Sequence, residues 1–198
     1  MRSETATLQE KRTAATREHL LDAAFERLVE HPDEAFSHEA VAKEAGVGAR
    51  TVYRYFPAQS DLFEALWLRL REQSGTVFPR AEEEIVPSLG VLYRAFDENE
   101  KLVRAVLESP AGARVRARGA DEGRACFEQS LRGLLEGRSA AERRRVRAVF
   151  QGLHSGVFWQ MLHDRGELAG PDAIAAASWA AQALLDTLRR ERKKRKGD

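Results

Sequence analysis

Apolar residues recur at three- and four-residue spacing along nearly all of the 198-residue chain, and no segment alternates at a spacing of two. A period near 3.6 lines up one face of a helix, whereas a half-buried strand needs a period of two. The chain is therefore expected to be all-α, built by packing amphipathic helices. Leu20, Leu21, Ala24, Phe25 and Leu28 mark a first helix over about 13–30, with Glu18, Asp22, Glu26 and Glu30 on its solvated side. Pro32 ends it, because residues before proline avoid helical backbone. Ser37 is placed to cap a short second helix reaching residue 45. Gly46 suits a left-handed turn, and Gly48 can open a third helix over 49–56 that Pro57 stops. A fourth, over 58–72, carries Leu62, Phe63, Leu66, Trp67 and Leu70 on one side, expected to bury against the three before it. Residues 1–75 are read as one unit. In 76–198, Pro79, Pro87, Pro110-Ala111-Gly112, Gly119, Gly137 and Gly170-Pro171 divide a larger bundle into helices near 82–97, 99–108, 119–136, 139–165 and 172–195.

Hydrophobic residues make up 43% and charged residues 32%, the balance of a globular chain. No run approaches the roughly 18 apolar residues of a membrane span, so no membrane partner is expected. The opening MRSETATLQEKR has no apolar core of a secretory leader. The single cysteine, Cys126, can form no internal disulfide, and a cytoplasmic protein is expected. Net charge is only +1, and the first 60 residues hold 8 basic against 10 acidic side chains. Contact with a polyanion must therefore come from local arrangement, not from a global field.

Such an arrangement lies at 37–56, SHEAVAKEAGVGARTVYRYF. It reads as short helix, glycine turn, short helix: the layout of a helix-turn-helix whose second helix enters the major groove. Ala40, Val41 and Ala45 pack the first helix, and Val47, Val52 and Phe56 face inward from the second. Ala49, Arg50, Thr51, Tyr53, Arg54 and Tyr55 are left to meet DNA. Arginine can read guanine edges bidentately, Thr and Ala methyls can meet thymine methyls, and tyrosine hydroxyls can bond phosphates. Two arginines and no acid occur between Ala45 and Ser60, and Lys11, Arg12 and Arg17 give a preceding basic arm.

These residues resemble the TetR family of bacterial regulators. The family's alanine-rich "IA..AGVS" stretch corresponds to Val41-Ala42-Lys43-Glu44-Ala45-Gly46-Val47-Gly48, and its "TLYRYF" to Thr51-Val52-Tyr53-Arg54-Tyr55-Phe56. The resemblance covers about 13–70; beyond it only length and helical pattern agree. It implies a homodimeric regulator on a palindromic double-stranded operator, most often a repressor released by a small molecule, and no enzyme. By position it implies a phosphate-binding cap at Ser37, base reading by Ala49, Arg50 and Thr51, and backbone and base contacts from Tyr53, Arg54 and Tyr55. Two positions depart from the pattern. Gly48 replaces a serine, and Gln59 replaces a lysine that anchors a phosphate, which should modestly lower affinity and salt dependence. His38, beside the cap, is read as a phosphate contact or as a solvated ring.

Other chemistry finds little support. Gly46-Val47-Gly48 lacks the third glycine and the preceding strand of a dinucleotide loop. The five histidines have no metal-ligand spacing, so neither metal nor cofactor is expected. Cys126 reads as a small core residue sooner than a redox sensor. No Ser/His/Asp or Cys/His signature is present for an enzyme. Ile174, Ala177, Ala181, Leu184 and Leu188 form a seam of alternating threes and fours, and Val146, Val149, Leu153 and Val157 nearly repeat it. Gly152 and Gly156 would admit another backbone beside the second seam. Both are read as dimer interface, with the domain's own core as the alternative. Tyr93, Phe96, Phe127, Phe158 and Trp159 are candidates to line an effector cavity, each also a possible core residue. The basic tail over 189–196 reads as a favourable cationic helix end sooner than as a second DNA contact.

Overall fold

A computed structural model describes residues 7–197. The first six residues of the N-terminal unit and Asp198 lie outside it, as does the side chain of Lys196 in the basic tail. The described chain is all-helical, as expected: α1 (Leu8–Glu30), α2 (His38–Glu44), α3 (Ala49–Tyr55), α4 (Gln59–Gln73), a 3-10 turn (Glu82–Glu84), α5 (Ile85–Glu98), α6 (Glu100–Glu108), α7 (Pro110–Arg118), α8 (Ala120–Ser130), α9 (Ala140–Leu153), α10 (Gly156–Asp164) and α11 (Pro171–Gly197).

Several boundaries differ from the sequence reading, and each has a local cause. Helix α1 begins five residues early because Thr7 and Glu10 close a capping box: the Thr7 hydroxyl accepts from the Glu10 amide, and the Glu10 carboxylate accepts from the Thr7 amide. Lys11, Arg12 and Arg17 are therefore on helix, not on an arm. Pro110-Ala111-Gly112, read as an interruption, is the first turn of α7. Ser109 caps it, its hydroxyl accepting from the Gly112 amide at 2.9 Å, and Pro110 occupies the first position, where a missing N–H costs nothing. The segment read as one helix over 139–165 is two, since Ser155 caps α10 through the Phe158 amide. Helix α8 stops at Ser130, and turns carry the chain to Gly137, at φ +74°.

Two hydrophobic clusters organise the helices. The first joins α1–α4, with Leu20, Val41, Val52, Phe56, Leu62 and Leu66 at its centre. It also takes in Leu102 and Val106 from α6 and Ala111 and Val115 from α7. The stripe of α4 is thus shared between the preceding helices and the second half of the chain. The second cluster joins α5 and α8–α11 around Ile85, Tyr93, Phe127, Phe150 and Trp159. Cys126 is buried, in keeping with a core role. Helix α11 packs chiefly along α5, and its basic end is fastened down: Arg189 bonds Glu82 at 2.7 Å, Arg138 bonds Glu191 at 2.5 Å, and Arg195 reaches Glu142.

Candidate nucleic-acid interface and ligand cavity

The α2–α3 unit is held from behind. Val41, Ala42, Ala45, Val52 and Phe56 are buried, and Gly46 takes the left-handed turn between the helices at φ +65°. The Ser37 hydroxyl accepts from the Ala40 amide, which caps α2. His19 of α1 faces the Ala45 carbonyl at 2.9 Å, and the buried guanidinium of Arg27 bonds the Ala35 carbonyl and Glu34. These bonds fix the entry and the end of α2 relative to α1.

On the outer side, Arg50, Tyr53 and Arg54 are exposed and Thr51 is half-buried; together they border a shallow depression along α3. Ala49 and Tyr55 pack partly on the core, and Arg54 lies over the Tyr55 ring with 5.0 Å to its centroid. Gly48 opens α3 without a side-chain cap, and a Cβ there would meet open space. His38 departs from the reading as a solvated ring. Its ring is buried, with Nε2 facing the Phe56 carbonyl at 2.8 Å, and it stacks on Tyr53. It is a bridge between α2 and the end of α3, and not a solvated ring. Gln59 is tethered within the protein: its amide donates to the Phe36 carbonyl at 2.7 Å, and its oxygen accepts from Arg114 of α7.

Glu39 escaped the sequence reading. It lies in the first turn of α2 and accepts from the Tyr53 hydroxyl at 2.9 Å, so one acid adjoins the exposed face of α3. Its own backbone N–H and the Tyr53 hydroxyl hold its carboxyl below the usual carboxylate range. The signal was its position two residues after Ser37, where the helix dipole favours an acid.

A second feature lies between α4 and the bundle. A cavity of about 210 Å³ is walled by Trp67, Leu70, Phe78, Phe96, Val106 and Phe127, with Arg116, Gln151 and His154 as polar members. Of the five aromatics proposed for an effector, Phe96 and Phe127 line it. Tyr93, Phe158 and Trp159 do not. Tyr93 is buried with its hydroxyl donating to the Leu153 carbonyl at 2.8 Å. Trp159 is buried with Nε1 donating to Asp97 at 2.8 Å, and Phe158 packs on the second cluster. Tyr93 and Trp159 build core because each is enclosed on all sides, and Phe158 packs its inner side on the same cluster. Sequence periodicity could not separate the two roles, and it missed Trp67 and Phe78 as walls.

The proposed dimer residues divide in the same way. Leu153, Ala177, Ala181 and Leu188 are buried within the chain's own second cluster, where the inward face of α11 runs through Ala173, Ala177, Ala181, Leu185 and Leu188 along α5, and Leu184 falls outside it. Val149, Val157 and Leu184 are exposed, as are Met161 and Trp179.

Residues 20–66 match the bacterial regulatory proteins of the tetR family. That segment is thus similar to that family. Its members are non-enzymatic DNA-binding transcription factors. Over 92 residues the chain is 37% identical to the HTH-type transcriptional repressor LfrR of Mycolicibacterium smegmatis, covering 46% of this chain and 48% of that one. The chain thus spans about half the length of the curated relative it matches. Among solved structures, NalD of Pseudomonas aeruginosa, the secondary repressor of the MexAB-OprM multidrug efflux pump, matches with a TM-score of 0.54 at 18% identity, over 90% of this chain and 96% of NalD. A TetR regulator from Rhodococcus sp. RHA1 matches with a TM-score of 0.49 at 21% identity, over 88% of this chain and 97% of that one. Among the described residues no helix is long and apolar enough to cross a membrane.

Proposed function

We propose that this protein is a sequence-specific transcriptional repressor that binds a palindromic operator as a homodimer and is released by a small molecule. The observation that carries the DNA-binding part is the outer face of α3, where Arg50, Thr51, Tyr53 and Arg54 stand together on a helix braced by α1 and α2. Arginine and threonine there suit base edges, and Tyr53 suits a phosphate. The α2–α3 unit, 37–56, sits within an N-terminal unit of 1–75, and 76–198 is read as the ligand and dimer unit. Repression, not activation, is supported by the names of LfrR and NalD.

Release by a ligand is supported by the cavity beneath α4, the helix that links the two units. Homodimerisation is supported by Val149, Val157 and Trp179, which are 50%, 59% and 75% exposed on α9, α10 and α11. Large apolar side chains left in water on adjoining elements mark a surface that another subunit covers. A two-fold dimer also supplies the second half-site that a single helix-turn-helix needs for specificity.

The test is selection of bound DNA from a random pool, with the wild type and with Arg50→Ala. The wild type should recover a palindrome. Arg50→Ala should lose roughly 1–3 kcal/mol of specific affinity and relax one base position per half-site. Unchanged preference at every position would remove Arg50 from the readout, and recovery of no common sequence would sink the assignment.

A further inference from the structure

The chemistry of the cavity says what kind of molecule it suits. Its walls are apolar on nearly every side, and no lining residue among the described ones is an acid. Glu122 on α8 is committed to Arg71 of α4 through both carboxylate oxygens at 2.8 Å. Against this stands one cation. Arg116, on α7, is half-buried in the wall, and its guanidinium donates to the backbone carbonyl of Val106. No described carboxylate pairs with it, and burial lowers its pKa from the ordinary guanidinium value. A carbonyl occupies part of a five-donor fork and contributes no negative charge, so donors and a full positive charge remain to be compensated.

The other polar groups in the wall bring no charge. Both ring nitrogens of His154 are already engaged, Nδ1 against the Phe150 carbonyl and Nε2 against the Ile85 carbonyl and the Ser88 hydroxyl. Burial favours its neutral form. Gln151 is neutral. The cavity is thus an apolar chamber with a single uncompensated positive charge on one wall, which favours an anion and disfavours a cation.

We propose that this cavity takes an amphipathic acid, an aromatic or aliphatic body carrying one carboxylate that Arg116 holds. The proposal rests on the reading of the cavity as the effector site.

Calorimetric titration of the intact protein with two probe series tests it: octanoate, 1-octanol and octylammonium, and 2-naphthoate with its alcohol and ammonium counterparts. Each acid should bind at least tenfold more tightly than its alcohol and its ammonium. Arg116→Gln should abolish that preference while leaving the alcohols unchanged, and Arg116→Lys, which keeps the charge, should retain it. Should Arg116→Gln fail to fold, the ranking of the wild-type series and the behaviour of Arg116→Lys still decide the matter. Ammonium probes binding as well as the acids would overturn the acid class while leaving the cavity as an effector site. Binding by none of the six would also overturn the class. Acids that bind with the expected preference yet leave affinity for the selected DNA unchanged would uphold the ligand chemistry and remove the effector reading.

Discussion

The indole of Trp67 lies so close over Gly119 that a Cβ at 119 would clash with its benzo ring. Trp67 belongs to α4 and Gly119 to the junction of α7 and α8, so this contact keys the connecting helix into the bundle. The same indole walls the cavity between α4 and the bundle. A molecule that presses on Trp67 therefore presses on α4, and α4 shares the core of α1–α3 through Leu62 and Leu66. One side chain thus lies between the cavity and the core of α1–α4.

Gly119→Ala should break this key. The methyl group has no space unless the indole or the α7–α8 junction moves, and overpacking of this kind costs about 1–3 kcal/mol. Urea unfolding followed by circular dichroism measures the loss. Displacement of Trp67 should also weaken DNA binding without ligand, since α4 must shift with it. A variant as stable as the wild type, with unaltered operator affinity, would show that the junction yields freely and transmits nothing.

Gln59 gives a second prediction, and it reverses what the sequence pattern suggests. Lysine at this position would ordinarily add a phosphate contact and steepen the salt dependence by about one unit. Here the side chain ties the Phe36 carbonyl, ahead of α2, to Arg114 of α7. Gln59→Lys removes the acceptor for Arg114 and sets two cations side by side. The variant should lose about 1 kcal/mol of stability, the worth of a hydrogen bond lost without replacement. Its salt slope for DNA binding should match the wild type. A slope increased by a full unit with undiminished stability would mean that lysine swings out to the phosphates instead.

How far the sequence revealed this molecule differs by element. The helix-turn-helix was legible because its signals are local: Ser37 as cap, Gly46 at the one left-handed turn, Pro57 as stop, and a fixed alternation of buried and exposed positions. The start of α1 was equally local in Thr7 and Glu10, but reading from the apolar stripe passed over a cap that lies ahead of it. The cavity was not legible, because Phe96 and Trp159 have the same pattern in sequence and differ only in which neighbours surround them. His38 illustrates the same limit. A histidine beside a cap looks solvent-facing until Phe56, 18 residues on, folds back to meet it.

His154 gives the chain a pH dependence with a defined sign. Burial is the largest influence on it and disfavours the imidazolium, outweighing the bonds to the Phe150 and Ile85 carbonyls, so its folded pKa lies below the ordinary value of 6.5. As pH falls below about 6.5, the unfolded chain binds a proton that the folded chain refuses. Stability is therefore full above that pH and falls below it, by up to about 1.4 kcal/mol per pH unit, until the folded ring protonates. From pH 7 to 5.5 the carboxylates with lowered pKa values keep their contribution, which they lose only at more acid pH, so the comparison with a His154 variant reads this group. His154→Gln should flatten the stability curve across that window, in urea titrations at half-unit steps. An unflattened curve would place the proton uptake elsewhere.

The dimer surface yields a prediction that separates two faces of one helix. On α11, Ala177, Ala181 and Leu188 point into the chain's own core, and Trp179 and Leu184 point away from it. Charges on the outward face should leave the fold intact and disturb association alone. Val149→Glu combined with Trp179→Glu puts four like charges into a two-fold interface, because each change occurs in both subunits, and desolvating or repelling them is costly. Sedimentation should then show a folded monomer with weak operator affinity. Leu188→Ala, on the inward face, should behave in the opposite way. It should cost about 2–5 kcal/mol of stability through the cavity it leaves, with the dimer persisting wherever the fold does. A double variant that stays dimeric would move the interface off α9 and α11. A wild-type monomer that binds the full palindrome tightly would remove the need for an interface at all, and with it the coupling between subunits on which the repressor reading depends.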